Sequence, residues 1–168
     1  MGWWNILTGV LIPPTDAAGN ALASVMLDAG GFADTRVVQS AEDSIPAAAE
    51  FGGLIRLQGY QLDDDTLTLV WDVLAPPPDD YTVFVQVLDS AGNLVGQGDA
   101  PPSLPTHYWR SGERFLMRHV ITYTEPPDDG ENRLIVGWYR PDDFTRLATD
   151  SPDNATVLTT FARVNPAQ

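Results

Sequence analysis

The fold is decided by one stretch in the middle of the chain, Tyr81-Thr82-Val83-Phe84-Val85-Gln86-Val87-Leu88-Asp89-Ser90-Ala91-Gly92-Asn93-Leu94-Val95. Its first half places β-branched, aromatic and other apolar side chains at successive positions, so both faces of a strand there are apolar. A strand of this kind is covered on two sides and lies centrally in its sheet. Asp89, Ser90, Gly92 and Asn93 tolerate left-handed backbone angles or bond their own backbone. The stretch therefore predicts a central strand followed by a hairpin reversal.

Further strands are predicted on both sides of this hairpin, separated by turns rich in proline and aspartate. In residues 66–74, Leu67, Leu69 and Trp71 alternate with polar residues, which is typical of a strand with one face to the core. The predicted strands are 54–62, 66–74, 114–123, 133–139 and 156–164, with edge strands near 3–11 and 35–39 and at most a single helical turn at 46–50. About eight strands with long connections predict an all-β protein, namely a two-sheet antiparallel β-sandwich of jelly-roll or Greek-key type.

The length of 168 residues suits one domain, and a globule of this size buries roughly 70% of the surface of its unfolded chain. Residues 1–50 follow the strand pattern less closely than the rest. They are predicted to form an amino-terminal arm or edge-strand region of the same domain. The chain has no cysteine, which excludes disulfides, zinc-thiolate sites, iron-sulfur clusters and thiol nucleophiles.

The charge is strongly negative. All nine basic residues are arginine, against 23 acidic residues, and the net charge is −14. Such a surface repels phosphate backbones and anionic lipids, so no nucleic-acid partner is predicted. The apolar segment Met1 to Pro14 is shorter than the roughly 20 residues that cross a bilayer, and an interfacial helix would carry basic residues. No membrane insertion by this chain is predicted.

From Phe51 onward a series of motifs resembles a known protein family. The motifs read FGGLIRLQGYQL, LTLVWDVLAPPPDDYTVFVQVLDSAGNLVGQGDAPP, YWRSGE and RLIVGWYRPDDFTRL. They resemble the soluble β-sandwich domain at the carboxyl end of bacterial, Chloroflexi-type membrane glycosyltransferases of the protein-mannosyltransferase-like class. The resemblance covers residues 51–164. It implies an accessory domain located outside the cytoplasm, and it implies no catalytic residues on this chain.

Catalytic chemistry has little support in the residues themselves. His107 and His119 form no paired-histidine motif, and Ser103 and Ser111 lie in no nucleophile elbow. Pairs of aspartates recur beside proline or glycine, where aspartate is the expected turn former. We therefore predict a protein that is not an enzyme and has no cofactor beyond a possible structural calcium ion.

Calcium is considered because carboxylate oxygens on the loops of a β-sandwich suit this cation. The last long loop before the final strand carries several acidic side chains. The candidate metal ligands are Asp142, Asp143, Asp150 and Asp153. The alternative interpretation is a solvated turn.

Aromatic residues give the better indication of ligand binding, because pyranose faces stack on planar rings. Trp71 and Tyr81 are in phase with aliphatic residues and are predicted to be core. Neighbouring strand residues point to opposite faces, so one of each adjacent aromatic pair should face outward. The candidate ligand-binding residues are Tyr60, Tyr108, Trp138 and Tyr139.

These observations predict a non-catalytic, extracytoplasmic accessory module that binds carbohydrate or a glycosylated surface polymer. The alternative is a structural subunit of a surface layer or filament. In that interpretation Met1 to Pro14 mediates self-association by docking on the sheet edge of a neighbour.

Overall fold

The computed structural model describes residues 3–5, 10–12 and 44–162 of the chain. They form a β-sandwich of two antiparallel sheets, together with a short antiparallel hairpin of β1 (Trp3–Asn5) and β2 (Val10–Ile12). The first sheet has the order β3 (Ile45–Phe51), β4 (Ile55–Asp63), β5 (Thr66–Val73) and β8 (Arg114–Val120). The second sheet has the order β11 (Thr156–Phe161), β10 (Asn132–Tyr139), β6 (Thr82–Leu88), β7 (Leu94–Gln97) and β9 (Thr122–Tyr123). The described residues include no helix long and apolar enough to cross a membrane.

The central hairpin is confirmed. Strand β6 lies between β10 and β7, and Val83, Val85 and Val87 are fully buried in the main core. On the opposite face Phe84 is 1% exposed and packs in a second cluster with Ile135 and Ala155. The strand is therefore covered on both faces, as its uninterrupted apolar run predicts.

The predicted strand 114–123 is in fact two strands in different sheets. Strand β8 ends at Val120 in the first sheet, and β9 begins at Thr122 in the second. The buried Ile121 between them donates its backbone N–H to the Asp65 carbonyl at 2.7 Å. Inward and outward side chains keep alternating through this crossing, so the pattern alone does not reveal the change of sheet.

The single helical turn expected at residues 46–50 is wrong, since this segment belongs to strand β3. Within the described part of the chain the strand pairs with β4 alone, and the pairing shifts by a bulge between Pro46 and Ala49. Pairing with a neighbouring strand overrides the low β-propensity of alanine. An edge strand also tolerates proline, because one row of its N–H groups needs no partner in the ladder. The expected edge strand at 3–11 is the β1–β2 hairpin instead, and the one at 35–39 lies outside the described residues.

Aromatic rings from both sheets meet at the centre of the sandwich. Trp71 of the first sheet and Trp138 of the second are fully buried and lie edge to face, with ring centroids 5.0 Å apart. Trp109, from the connection between β7 and β8, meets Trp138 edge-on at 5.6 Å and stacks on Phe115 at 4.1 Å. After Trp109 the chain turns tightly, and the Glu113 carboxylate accepts the Arg110 N–H at 2.8 Å. These contacts join the two sheets.

His119 lies in the core and not at the surface. It is 2% exposed and points inward from β8, while its neighbour Arg118 is exposed. Its Nδ1 lies 2.8 Å from the Gly98 carbonyl, which can only accept, so Nδ1 carries the proton. Nε2 is buried without a hydrogen-bond partner. Burial lowers the pKa of this imidazole below its ordinary range, although the bond to Gly98 opposes the shift.

We expect His119 to make folding sensitive to mild acid. Its pKa is lower in the folded chain than in the unfolded chain, so the unfolded chain binds more protons once the pH falls below about 6.5. The free energy of unfolding should therefore decrease as the pH falls from about 7 towards 5, and it should decrease less in a His119→Leu variant. Chemical denaturation at a series of pH values, with both chains in a His107→Gln background, measures the difference. Equal pH dependence in the two chains would show that His119 is not responsible.

Candidate functional site

A tight loop after β10 presents an aromatic side chain to solvent. Arg140 N–H donates to the Thr145 carbonyl at 2.9 Å, and Phe144 N–H donates to the Arg140 carbonyl at 2.8 Å. Phe144 has φ +59° and a relative exposure of 73%. Among the described residues the other non-glycine positions with positive φ are Asp64 and Asn154, whose side chains tolerate this region. Of these three residues, Phe144 alone has a bulky side chain that disfavours a positive φ.

The conformation of this loop is fixed by an ion pair. The Arg140 guanidinium donates from Nε to Asp143 Oδ1 at 3.1 Å and from Nη2 to Asp143 Oδ2. Asp143 Oδ1 also accepts the Thr145 N–H at 3.0 Å. The hydrogen bond from Arg140 is the main reason that the pKa of Asp143 is far below its ordinary range, and the same bond raises the pKa of Arg140. Asp143 therefore keeps its charge and holds the turn that presents Phe144.

Phe144 belongs to an outer aromatic group, formed with Tyr139 and Phe84 on the outward face of the second sheet. The rings of Phe144 and Tyr139 stack with centroids 5.7 Å apart and an interplanar angle of 20°. Tyr139 in turn lies 6.5 Å from the buried ring of Phe84, and the Arg146 guanidinium covers that ring at 4.2 Å. Burial raises the pKa of the Tyr139 hydroxyl, which stays neutral near pH 7. The exposed ring of Phe144 is therefore supported by Tyr139, and Tyr139 by Phe84.

A second polar and aromatic group lies on the connection between β7 and β8. Tyr108 is 60% exposed and its ring contacts that of His107, with centroids 3.8 Å apart. His107 Nδ1 lies 2.7 Å from Asp80 Oδ1, and its backbone N–H donates to the same oxygen. This side-chain bond is the largest cause of the lowered pKa of Asp80. The carboxylate is therefore charged and orients the imidazole.

The two groups lie at the same end of the sandwich. Arg140 Nη1 is 3.4 Å from Asp79 Oδ2, while the next residue, Asp80, holds His107. Below them the buried hydroxyl of Thr106 donates to the Asp79 carbonyl at 2.7 Å and accepts the Tyr81 N–H at 2.9 Å. The structure therefore brings the predicted residues Tyr108 and Tyr139 to one end, where β6 begins and β10 ends. We call this surface the aromatic end; it comprises Asp79, Asp80, His107, Tyr108, Tyr139, Arg140, Asp143 and Phe144.

Two of the four predicted ligand-binding aromatic residues are buried in the core. Trp138 is fully buried, and Tyr60 is 5% exposed, with its hydroxyl donating to the Leu158 carbonyl at 2.8 Å. Both rings pack between the sheets and hold them together, so neither can stack on a ligand. Alternation allowed one outward ring in the pair Trp138–Tyr139, and the outward ring is Tyr139.

The predicted calcium ligands do not converge. Asp143 is paired with Arg140, Asp150 lines a cleft between β3 and β11, and the backbone carbonyl of Asp153 accepts from Arg146. Across the described residues no group of three or more histidine and acidic side chains could hold a metal ion. The set Asp142, Asp143, Asp150 and Asp153 is therefore not one metal site.

Sequence reasoning missed Phe144. A signal was available, because a single aromatic residue follows Pro141-Asp142-Asp143 within a turn, where glycine or asparagine would be the ordinary choice. Side-chain alternation applies to strands and to adjacent aromatic pairs. It does not predict the direction of an isolated ring in a turn.

The fold and the aromatic end define a β-sandwich with an exposed ring surface. No protein-family model, curated protein or solved structure matches this chain.

Proposed function

We propose that the chain is a non-catalytic accessory module that binds carbohydrate or a glycosylated surface polymer at the aromatic end. The observation that carries this proposal is Phe144, a 73% exposed ring in a left-handed backbone conformation. An L-residue in that conformation costs roughly 1–2 kcal/mol. Strain of this kind concentrates at binding sites, where the surrounding structure enforces it.

The chemistry of the site suits a sugar ring. Phe144, with Tyr139 stacked against it, offers an exposed aromatic face for the apolar side of a pyranose, and Tyr108 offers a further exposed ring. Asp80, His107 and Arg140 supply acceptors and donors beside these rings. The combination of flat rings and fixed polar groups favours a ligand that is both apolar on one face and rich in hydroxyls.

The non-catalytic part of the proposal rests on the roles that the ionisable groups already have. Arg140 and His107 lower the pKa values of Asp143 and Asp80, respectively. A general acid needs a pKa near the working pH, and these carboxylates are shifted in the opposite direction. They serve to orient their neighbours.

The location outside the cytoplasm, and the attachment to a membrane glycosyltransferase of the protein-mannosyltransferase-like class, are part of the same proposal. They are supported by the motifs of residues 51–164. An accessory module of such an enzyme would meet glycosylated polymers at the cell surface.

We expect Phe144→Gly to weaken carbohydrate binding at least about tenfold, a change of about 1.4 kcal/mol that matches the loss of one stacked ring. Glycine relieves the left-handed strain and loses the stacking on Tyr139, so the free energy of unfolding should stay within about 1 kcal/mol of the parent. Binding is measured by calorimetry with mannan and with cellulose- and chitin-derived oligosaccharides, after a glycan array.

Val120→Ala is the matched control, because Val120 is also an exposed apolar residue, at 64%, but belongs to β8. It should bind like the parent. The proposal fails if no carbohydrate binds the parent chain, or if Phe144→Gly binds as tightly as Val120→Ala.

A further inference from the structure

The four outer edges of the two sheets are not equally protected against pairing with another strand. Edge strands expose a row of unpaired N–H and C=O groups, and proteins protect them with charges, proline, bulges or short length. Strand β3 has Pro46, a bulge and the Glu50–Arg56 ion pair, and β8 has Arg114 and Arg118. Strand β9 has two residues. Three of the edges are therefore protected.

Strand β11 lacks most of this protection. Its sequence Thr156-Val157-Leu158-Thr159-Thr160-Phe161 has no charge, no proline and no glycine, and within the described chain its one strand partner is β10. Val157 is 50% exposed. The bulge at Leu158 turns that carbonyl towards the Tyr60 hydroxyl, whereas residues 159–161 pair regularly with β10. An uncharged edge rich in threonine and aliphatic residues favours addition of a strand.

A cleft of about 300 Å³ runs beside this edge, between β11 and β3. Small side chains line much of it: Ala48, Ala49, Ser151 and Ala155. Two acidic residues also line it, namely Asp150 and Glu50, and Glu50 is paired with Arg56. An uncharged strand can therefore approach this cleft without charge repulsion, whereas an acidic one cannot. A strand added to β11 would lie about 4.8 Å from it and would direct alternate side chains towards this cleft. The edge and the cleft together form a place for one more strand.

We propose that a second copy of this chain supplies that strand, from its segment Met1 to Pro14. In a chain of net charge −14, approach of two copies is repulsive except between uncharged surfaces. Met1 to Pro14 has no charged residue, and β11 has none either. The segment already contains two extended strands, β1 and β2, so little conformational entropy is lost when it pairs.

Such a contact joins two different surfaces, one from each copy. If the two arms are exchanged reciprocally the assembly closes as a dimer, and otherwise it grows as a linear chain of copies. The same edge-to-arm pairing underlies both forms. The masses of the assemblies in solution distinguish a closed dimer from a linear chain, and either result agrees with the proposal.

Sedimentation equilibrium of the full chain over a concentration series tests this assignment. We expect the parent to self-associate, and Val157→Lys to weaken the association roughly tenfold or more, because a lysine charge is a natural protection of an edge strand. Val120→Lys is the matched control, with the same change on the protected strand β8, and should associate like the parent. Leu11→Pro, within β2, should weaken association as Val157→Lys does.

Thr160→Lys, at another exposed position of β11, gives a second reading if Val157→Lys does not fold. A parent chain that stays monomeric over the whole series overturns the proposal. It is overturned equally if the β11 variants associate like Val120→Lys, or if Leu11→Pro associates like the parent. None of these results depends on carbohydrate binding.

Discussion

Replacing Trp138 with alanine is expected to lower the free energy of unfolding by about 3–5 kcal/mol, the range for removing a large aromatic ring from a core. Trp138 is fully buried and contacts both Trp71 and Trp109, at centroid distances of 5.0 and 5.6 Å. These three rings come from the first sheet, the second sheet and the connection between β7 and β8. The cavity left by alanine would lie where they meet, so it cannot be filled by movement of one neighbour.

Urea denaturation at neutral pH measures this change. Tyr108→Ala is the control, because it also removes an aromatic ring but from a 60% exposed position, and its effect should lie within about 0.5 kcal/mol. A loss below about 1 kcal/mol for Trp138→Ala would show that the three-ring contact does not hold the sheets together.

Replacing Gly137 with alanine is expected to destabilise the fold by about 1–3 kcal/mol, as overpacking of a close contact does. A methyl group there would lie 2.4 Å from Phe84 Cζ and 3.0 Å from the Asn154 carbonyl oxygen. The Phe84 ring would have to move, and Tyr139 and Arg146 pack against it. The same change should therefore disturb the ring surface of the aromatic end.

A Phe84→Leu change tests whether the Phe84 ring or the Asn154 carbonyl causes the destabilisation by Gly137→Ala. A smaller side chain at position 84 makes room for the methyl group, so the double variant should lose less than the sum of the two single changes. Thermal unfolding of the parent, the two single variants and the double variant measures the coupling free energy between positions 84 and 137. Strict additivity would show that the Asn154 carbonyl, and not Phe84, is the obstacle.

Side-chain alternation was sufficient to predict the sandwich and its central strand, because the local pattern of apolar and polar residues indicates whether one or both faces of a strand are buried. It could not predict the change of sheet at Ile121, where alternation continues unbroken while the backbone changes partner. It also could not predict β3, because an alanine-rich segment becomes a strand only when β4 pairs with it.

The candidate site was predicted in part for a similar reason. Tyr108 and Tyr139 were found because adjacent residues of an extended chain face opposite sides, but the rule does not say which residue of a pair is inside. Contacts between sheets decided that Trp138 and Tyr60 are buried. Phe144 depends on the Arg140–Asp143 ion pair within its turn, and residue type alone does not reveal that geometry.

The passage of the chain from β8 to β9 also determines how the sandwich can open. One residue, Ile121, separates the two strands, so on that side the sheets are tied by a covalent link too short to let them part. On the opposite side, where β3 and β11 lie, the Tyr60–Leu158 hydrogen bond is a link that can break and re-form. We therefore expect any separation of the sheets to begin along the β3–β11 side and not at Ile121.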